Sequence, residues 1–360
     1  MNNLISSTDE ITIKWISSIL EQKHVLPSAL IQSVSVLKRW KTTSSEIAVV
    51  KVEYADCSSK FPASLFVKIT SPQLSAILKE QIGCKEVTFY NSISLGLPQD
   101  DLIHCYFAGY DERDGIFNLV LEDLTSSHVS TEWPLSPSIG DCELAVGCLV
   151  NLHSYWWDHK NLGGLCDQAH SQIQHINNLK SLYNSHFVGF EKYMGDRMPD
   201  VYKTGISMWA NRIESLSQRV FGHNNITLTH GDSHFWNFMF PKQAGGNAKL
   251  FDWQSYRVGL GTNDLAYMIA MHWYPSRRKC YEIPLLKNYH LRLCENGVAN
   301  YSFDELLSDY RWSIIHALCI PMWQWSMKLS PSIWLGHLER ISAAFDDMSC
   351  AELLSDKKYY

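Results

Sequence analysis

The stretch ITLTHGDSHFWNFMF, followed after PKQAGGNAK by LFDWQSYRVGLGTNDLA, gathers His230, Asp232, His234, Asn237, Asp252 and Asp264 among apolar, strand-like residues. A carboxylate, an amide and a second carboxylate at neighbouring strand ends offer hard oxygen ligands, which suit a divalent cation. Mg²⁺ fits that set better than zinc. Each residue alone has a plainer reading, because an Asp or Asn in a turn often caps a helix or accepts backbone N–H bonds. Their joint spacing is what points to chemistry.

Elements on both sides must position this cluster. An apolar-spaced helix near Ile11 to Gln22 is followed by EIAVVKVEYAD and ASLFVKIT, β-branched runs that read as two neighbouring antiparallel strands. A helix from about Leu74 to Ser94 leads to LIHCYFAGYD and FNLVLEDL, two further strands divided by a turn from Asp111 to Gly115. Beyond Leu124 the segments DCELAVGCLVNLHSYWW, TGISMWANRIESLSQRV, TNDLAYMIAMHWY, FDELLSDYRWSIIHALCIPMWQW and WLGHLERISAAFDDM have helical periodicity. The expectation is an α+β chain with a small N-terminal antiparallel sheet lobe carrying one long helix, residues 1–122, and a larger, mainly α lobe, residues 123–360. The boundary falls at LEDLTSS, and two such lobes would place a ligand in the crevice where they join.

Composition removes several classes. With 360 residues, 46% hydrophobic and 19% charged, the chain is neither disordered nor fibrous. The net charge of -6 is spread without runs, so no nucleic-acid partner is expected. Asp9, Glu10 and Lys14 interrupt the first apolar stretch, and no window of roughly eighteen apolar residues occurs, so neither a secretory signal nor a membrane span is read and the cytoplasm is expected. The ten cysteines form no CxxC pattern, and several, such as Cys148 and Cys319, sit in apolar runs as buried thiols would.

HGDxHxxN followed by an apolar-apolar-Asp turn resembles the aminoglycoside phosphotransferase and choline kinase superfamily, especially its ecdysteroid-kinase-like branch, over most of the chain. The resemblance implies a two-lobed, protein-kinase-like fold and ATP-dependent, Mg²⁺-assisted transfer of the γ-phosphoryl group to a hydroxyl of a small molecule. It implies that Asp232 receives the hydroxyl proton, that Asn237 and Asp252 bind Mg²⁺, and that Asp264 anchors the catalytic loop. Lys68 in LFVKI resembles the strand lysine that reaches the α- and β-phosphates, and Glu86 in KEVTFYN the helix glutamate that pairs with it. LVLEDL resembles the hinge, where backbone groups near Glu122 and Leu124 would bond the adenine edge. His230 resembles a loop-bracing histidine; His153, Trp156 and Trp157 resemble core residues of a lobe helix.

One departure stands out: LKRWKTTSSEIAVVKV has no glycine where the family's phosphate loop usually carries several, leaving Thr42 to Ser45 as candidate phosphate donors. This motivates the competing reading, a catalytically silent nucleotide- or metabolite-binding protein of kinase shape. The intact set Lys68, Asp232, Asn237 and Asp252 favours the enzyme. Only eleven residues separate Asp252 from Asp264, too few for a protein kinase's activation segment, so a natural product, sterol, sugar or amino alcohol is the expected acceptor rather than a protein.

Overall fold

The computed structural model describes residues 4–22, 30–42, 44–55, 61–71, 84–165, 168–221 and 224–355. The chain divides into two compact units, Met1–Ser130 with Phe238–Ser255, and Thr131–Asn237 with Tyr256–Tyr360.

The first unit is built on five antiparallel strands, β1 (Ile31–Lys41), β2 (Ser45–Tyr54), β3 (Ser64–Thr70), β4 (Cys105–Asp111) and β5 (Ile116–Glu122), in the spatial order β1-β2-β3-β5-β4. Side chains alternate across a strand. Ala48, Val50 and Val52 of β2, Leu65, Val67 and Ile69 of β3, and Val120 of β5 therefore share one face, where they pack with Trp15, Ile16, Ile19 and Leu20 of helix α1 (Ile13–Gln22). The residues between them, among them Ile47, Val49, Phe66, Lys68 and Leu121, line a cavity. Burial on both faces explains why these strands read as unbroken apolar runs. The β4–β5 turn closes with Gly115 N–H donating to Asp111 O at 2.9 Å, and Gly115 takes φ +62°, a conformation that favours glycine.

Among the described residues there are five further short strands: β6 (His128–Ser130), β7 (Thr227–Thr229), β8 (Phe238–Pro241), β9 (Lys249–Leu250) and β10 (Arg257–Gly259). Strands β6, β8 and β9 pair antiparallel in the first unit, and β7 pairs with β10 in the second.

The second unit is mainly helical, with α2 (Ile139–Trp156), α3 (Gln168–Met194), α4 (Asp200–Ala210), α5 (Ile213–Phe221), α6 (Pro275–Glu295), α7 (Phe303–Ala317), α8 (Cys319–Ser326) and α9 (Pro331–Asp347). Ser138 caps α2 through the Asp141 N–H, and Ser302 with Glu305 forms a capping box on α7. Helix α2 is apolar nearly all round and correspondingly buried, from Cys142 through Leu149 to Trp156. Gly147 lets it approach α6 closely, since a Cβ there would lie 2.9 Å from the Arg292 guanidinium.

The structure refines several expected elements. Strand β1 is not among the strands the sequence suggests: Ile31, Val34 and Val36 pack against the core, but register shifts at Ile31/Ser33 and Val36/Lys38 break the apolar alternation. Of the helix expected from Leu74 to Ser94, residues 84–88 are helical and continue as a π-turn, Phe89–Ile93; residues 74–83 lie outside the described residues. TGISMWANRIESLSQRV breaks into α4 and α5, and the long segment from Phe303 breaks at Leu318 into α7 and α8. The described cysteines are free thiols, with Cys142, Cys148, Cys319 and Cys350 buried. No described helix is long and apolar enough to cross a membrane.

Candidate functional site

In the first unit the alternation of β3 turns Lys68 away from α1 and into a cavity of about 520 Å³. Its ammonium lies 2.7 Å from Glu86 Oε2 and 2.7 Å from Asp252 Oδ1. Burial opposes a charged lysine, but the Asp252 and Glu86 carboxylates outweigh it and raise the Lys68 pKa above its usual value. Burial likewise pushes Glu86 up, with Lys68 pulling against it. One ammonium is thus shared by two carboxylates, and it remains protonated.

Asp252 follows β9 with φ +68°, a left-handed backbone that an aspartate tolerates better than most residues. The next residue, Trp253, stacks on Phe89 with ring centroids 3.7 Å apart and planes 8° from parallel, which ties the Asp252 turn to the segment that follows Glu86. Gln254 donates from Nε2 toward Asp252 Oδ2 at 3.5 Å, while its Oε1 is buried without a hydrogen-bond partner. Glu122 and Leu124 also line the cavity. The Leu124 carbonyl is used locally, accepting the N–H groups of Ser127 and His128 at 3.1 and 2.8 Å.

The β1–β2 turn closes upon itself. Thr42 N–H donates to Ser45 O at 2.8 Å, and Ser45 N–H donates to Thr42 Oγ1 at 3.1 Å. Thr42 and Ser45 spend these donors on the turn, Ser44 lines the cavity, and Thr43 lies outside the described residues.

In the second unit, β7 delivers the chain into a loop at His230. Gly231 takes φ +82°, and this bend aims two successive backbone N–H groups at one carboxylate. His230 N–H donates to Asp264 Oδ2 at 2.7 Å and Gly231 N–H to Oδ1 at 2.9 Å. His153 of α2 reaches the same carboxylate through Nε2 at 3.1 Å, and its Nδ1 lies 2.7 Å from the Tyr289 hydroxyl. Ser233 adds a bond to the Asp264 carbonyl at 2.8 Å. Burial would raise the Asp264 pKa, but His153, His230 and Gly231 hold it below its ordinary value.

This anchored loop presents Asp232. Asn237 Nδ2 donates to the Asp232 carbonyl at 2.7 Å and to its Oδ2 at 3.3 Å, leaving the amide oxygen as the other half of the group. The Tyr267 hydroxyl bonds Asp232 as well, and burial with that carboxylate raises its pKa well above the usual phenol value. His234 Nε2 stands 3.7 Å from Asp232 Oδ2, beyond hydrogen-bond distance. Its ring neighbours His272 at 5.8 Å, and His272 neighbours His337 at 4.8 Å. Burial drives the pKa of His272 well below its ordinary value and that of His337 to about 4.

The model of the ecdysteroid kinase-like family matches residues 42–297, more than half of the chain. The chain belongs to the ecdysteroid kinase-like family. A comparison with curated proteins found no significant match. Among solved structures, a Plasmodium vivax ethanolamine kinase is 12% identical, with 96% of this chain and 92% of that one covered and a TM-score of 0.55. The GDP complex of aminoglycoside 2'-phosphotransferase-IIIa is 10% identical, with 93% and 99% covered and a TM-score of 0.53. LicA in complex with AMP is 15% identical, with 93% and 98% covered and a TM-score of 0.50. At these identities the likeness establishes the fold, which is kinase-like.

In this ecdysteroid kinase-like chain the structure brings Lys68, Glu86 and Asp252 together in the first unit and Asp232 with Asn237 in the second. Sequence reasoning assigns His153 to the core; it is fully buried but also a hydrogen-bonding member of the loop anchor. Its position on the buried side of an apolar helix was the available signal, since a buried histidine needs partners. Tyr289, Tyr267 and Gln254 are further residues the sequence did not mark, because nothing local distinguishes them from packing residues.

Proposed function

We propose that this protein is an ATP-dependent kinase that moves the γ-phosphoryl group to a hydroxyl of a small molecule, a natural product, sterol, sugar or amino alcohol. The observation that carries the reading is the Lys68 ammonium held 2.7 Å from both Glu86 and Asp252 on the wall of a nucleotide-sized cavity, three residues remote in sequence. Neighbours of this fold crystallised with AMP and GDP lend support.

In this reading Lys68, oriented by Glu86, meets the α- and β-phosphates. The adenine edge meets backbone groups at Glu122 and Leu124, and because the Leu124 carbonyl is already bonded within its turn, Leu124 contributes its N–H. Residues 1–122 serve nucleotide binding; residues 123–360 serve catalysis and acceptor binding, with Asp252 contributed to the Lys68 cavity.

The oxygens present suit Mg²⁺. Asp252 and Asn237 are the proposed ligands, and the unpartnered Gln254 Oε1 beside Asp252 marks an oxygen-rich place for a hard cation. When bound, Mg²⁺ neutralises phosphate charge. Asp232 accepts the acceptor's hydroxyl proton as that oxygen bonds to the γ-phosphorus and the bond to the β–γ bridging oxygen breaks, giving the phosphorylated acceptor and ADP. Tyr267 and Asn237 fix the Asp232 carboxylate for this step.

Calorimetry with ATP and GTP, with and without Mg²⁺, on the native chain and Asp252→Ala tests the donor site. Metal-dependent ATP binding lost in the variant is expected, after which a panel of hydroxylated metabolites identifies the acceptor. Binding of neither nucleotide would favour the silent-fold reading, and transfer that survives Asp232→Asn would overturn the catalytic assignment.

A further inference from the structure

The cavity wall contains an aromatic residue to which no role has yet been given. Trp40, near the end of β1, lines the cavity together with Phe66 and Lys68. Strand register fixes its level. Trp40 pairs across to Ile47, and Ile47 pairs across to Lys68, so these three form one row on the cavity face. The neighbouring row is Val49, Phe66 and Leu121, and Leu121 precedes the Glu122–Leu124 segment. The second row therefore runs toward the proposed adenine edge, and the Trp40 row is level with the lysine that meets phosphates.

Trp40 is held in that place. Its ring meets Phe66 edge-on at 5.9 Å with an interplanar angle of 67°, and the Lys38 ammonium sits 5.2 Å from its centroid. The following turn is fastened by the Thr42–Ser45 hydrogen bonds and flanked by a Lys41–Glu46 ion pair of 2.8 Å. Those hydrogen bonds hold Thr42 and Ser45 in the turn that follows Trp40, whose indole offers the cavity a broad face and one N–H.

We infer that the Trp40 indole walls the ribose–phosphate portion of the nucleoside triphosphate. This rests on the donor-site reading above. The indole excludes water beside Lys68 and contacts the donor directly, which makes Trp40 a determinant of nucleotide affinity.

Fluorine NMR on the full chain labelled with 5-fluorotryptophan tests this, with the Trp40 resonance assigned by its disappearance in Trp40→Phe. That resonance is expected to shift when Mg·ATP is added. Calorimetry is expected to show Mg·ATP binding at least about tenfold weaker in Trp40→Ala and within about threefold of native in Trp40→Phe. If the native chain binds Mg·ATP while the Trp40 resonance stays fixed, the inference is overturned even should Trp40→Ala fail to fold, and unchanged affinity in a folded Trp40→Ala overturns it as well. If the native chain binds no nucleotide, the donor-site reading itself falls and takes the inference with it.

Discussion

His153 Nε2 lies 3.1 Å from Asp264 Oδ2, and that same oxygen accepts the His230 N–H at 2.7 Å. A helix near the start of the second unit and the loop bearing Asp232 are thus joined through one buried carboxylate. Because the carboxylate accepts, His153 donates from Nε2, and its Nδ1 lies 2.7 Å from the Tyr289 hydroxyl. This arrangement anchors the loop, and Asn237 and Tyr267 hold Asp232 itself.

Asp264→Asn should therefore act through the loop. An amide cannot accept three donors as an anion does, and leaving one of them unsatisfied in the interior costs about 1–3 kcal/mol. Urea denaturation is expected to show that loss, with phosphoryl transfer falling while Mg·ATP affinity in the Lys68 cavity stays near native. The carboxylate's folded pKa is lowered from 3.8, so its stabilisation is present above that value and is lost as pH falls through the lowered one. Acid unfolding of native and variant chains should converge only in that range.

Gly261 tests the same anchor by intrusion. A Cβ at this position would stand 2.5 Å from the Tyr289 oxygen and 2.9 Å from His153 Nδ1, within the bond the two share. Gly261→Ala should push them apart and destabilise the chain by about 1–3 kcal/mol, as overpacking does. A melting temperature equal to that of the native chain would mean that the anchor has slack.

Lys68→Met removes the ammonium shared by Glu86 and Asp252 and leaves buried Glu86 without it. Breaking a buried pair costs about 3–5 kcal/mol, reduced here because the raised pKa of Glu86 lets it take up a proton. Glu86→Gln should cost less stability, since Lys68 keeps Asp252, yet both variants should weaken Mg·ATP binding. Parallel denaturation and calorimetry separate the two effects.

These residues show where a sequence is readable. Lys68 in LFVKI is marked by the family resemblance, and strand alternation accounts for its turning away from α1. HGDSHFWN and the later Asp252 are legible because their polar residues interrupt apolar strands at close spacing. Glu122 and Leu124, marked by the resemblance of LVLEDL to a hinge, line the cavity. What stayed hidden depends on distant packing: Tyr289 meets His153 across 136 positions of sequence, and Thr42 spends its donors on a turn whose composition alone looks able to bind phosphate. Strand β1 is hard to read because register shifts break the alternation of Ile31, Val34 and Val36, which pack against the core. Helix α3 has weak apolar periodicity, since many of its described residues are exposed.

The imidazoles behind Asp232 supply a pH dependence with a definite sign. His337 donates from Nδ1 to Gln324 Oε1 at 2.9 Å and is buried against His272, with Arg340 and His234 opposing a positive charge and Asp232 favouring one. Its folded pKa is about 4 against an ordinary 6.5. Between those values the unfolded chain binds more protons than the folded chain, so stability rises with pH across the window and is lost as pH falls through it. Each tenfold difference in proton affinity is worth about 1.4 kcal/mol, giving roughly 3 kcal/mol from this residue when fully expressed. His337→Gln keeps a polar side chain beside Gln324 but cannot titrate. Its melting temperature should therefore fall less steeply than that of the native chain from pH 6.5 to 4, with His272 accounting for part of the slope that remains. Equal slopes for the two proteins would mean that His337 takes up its proton without unfolding the chain, through an opening of the cluster around Asp232.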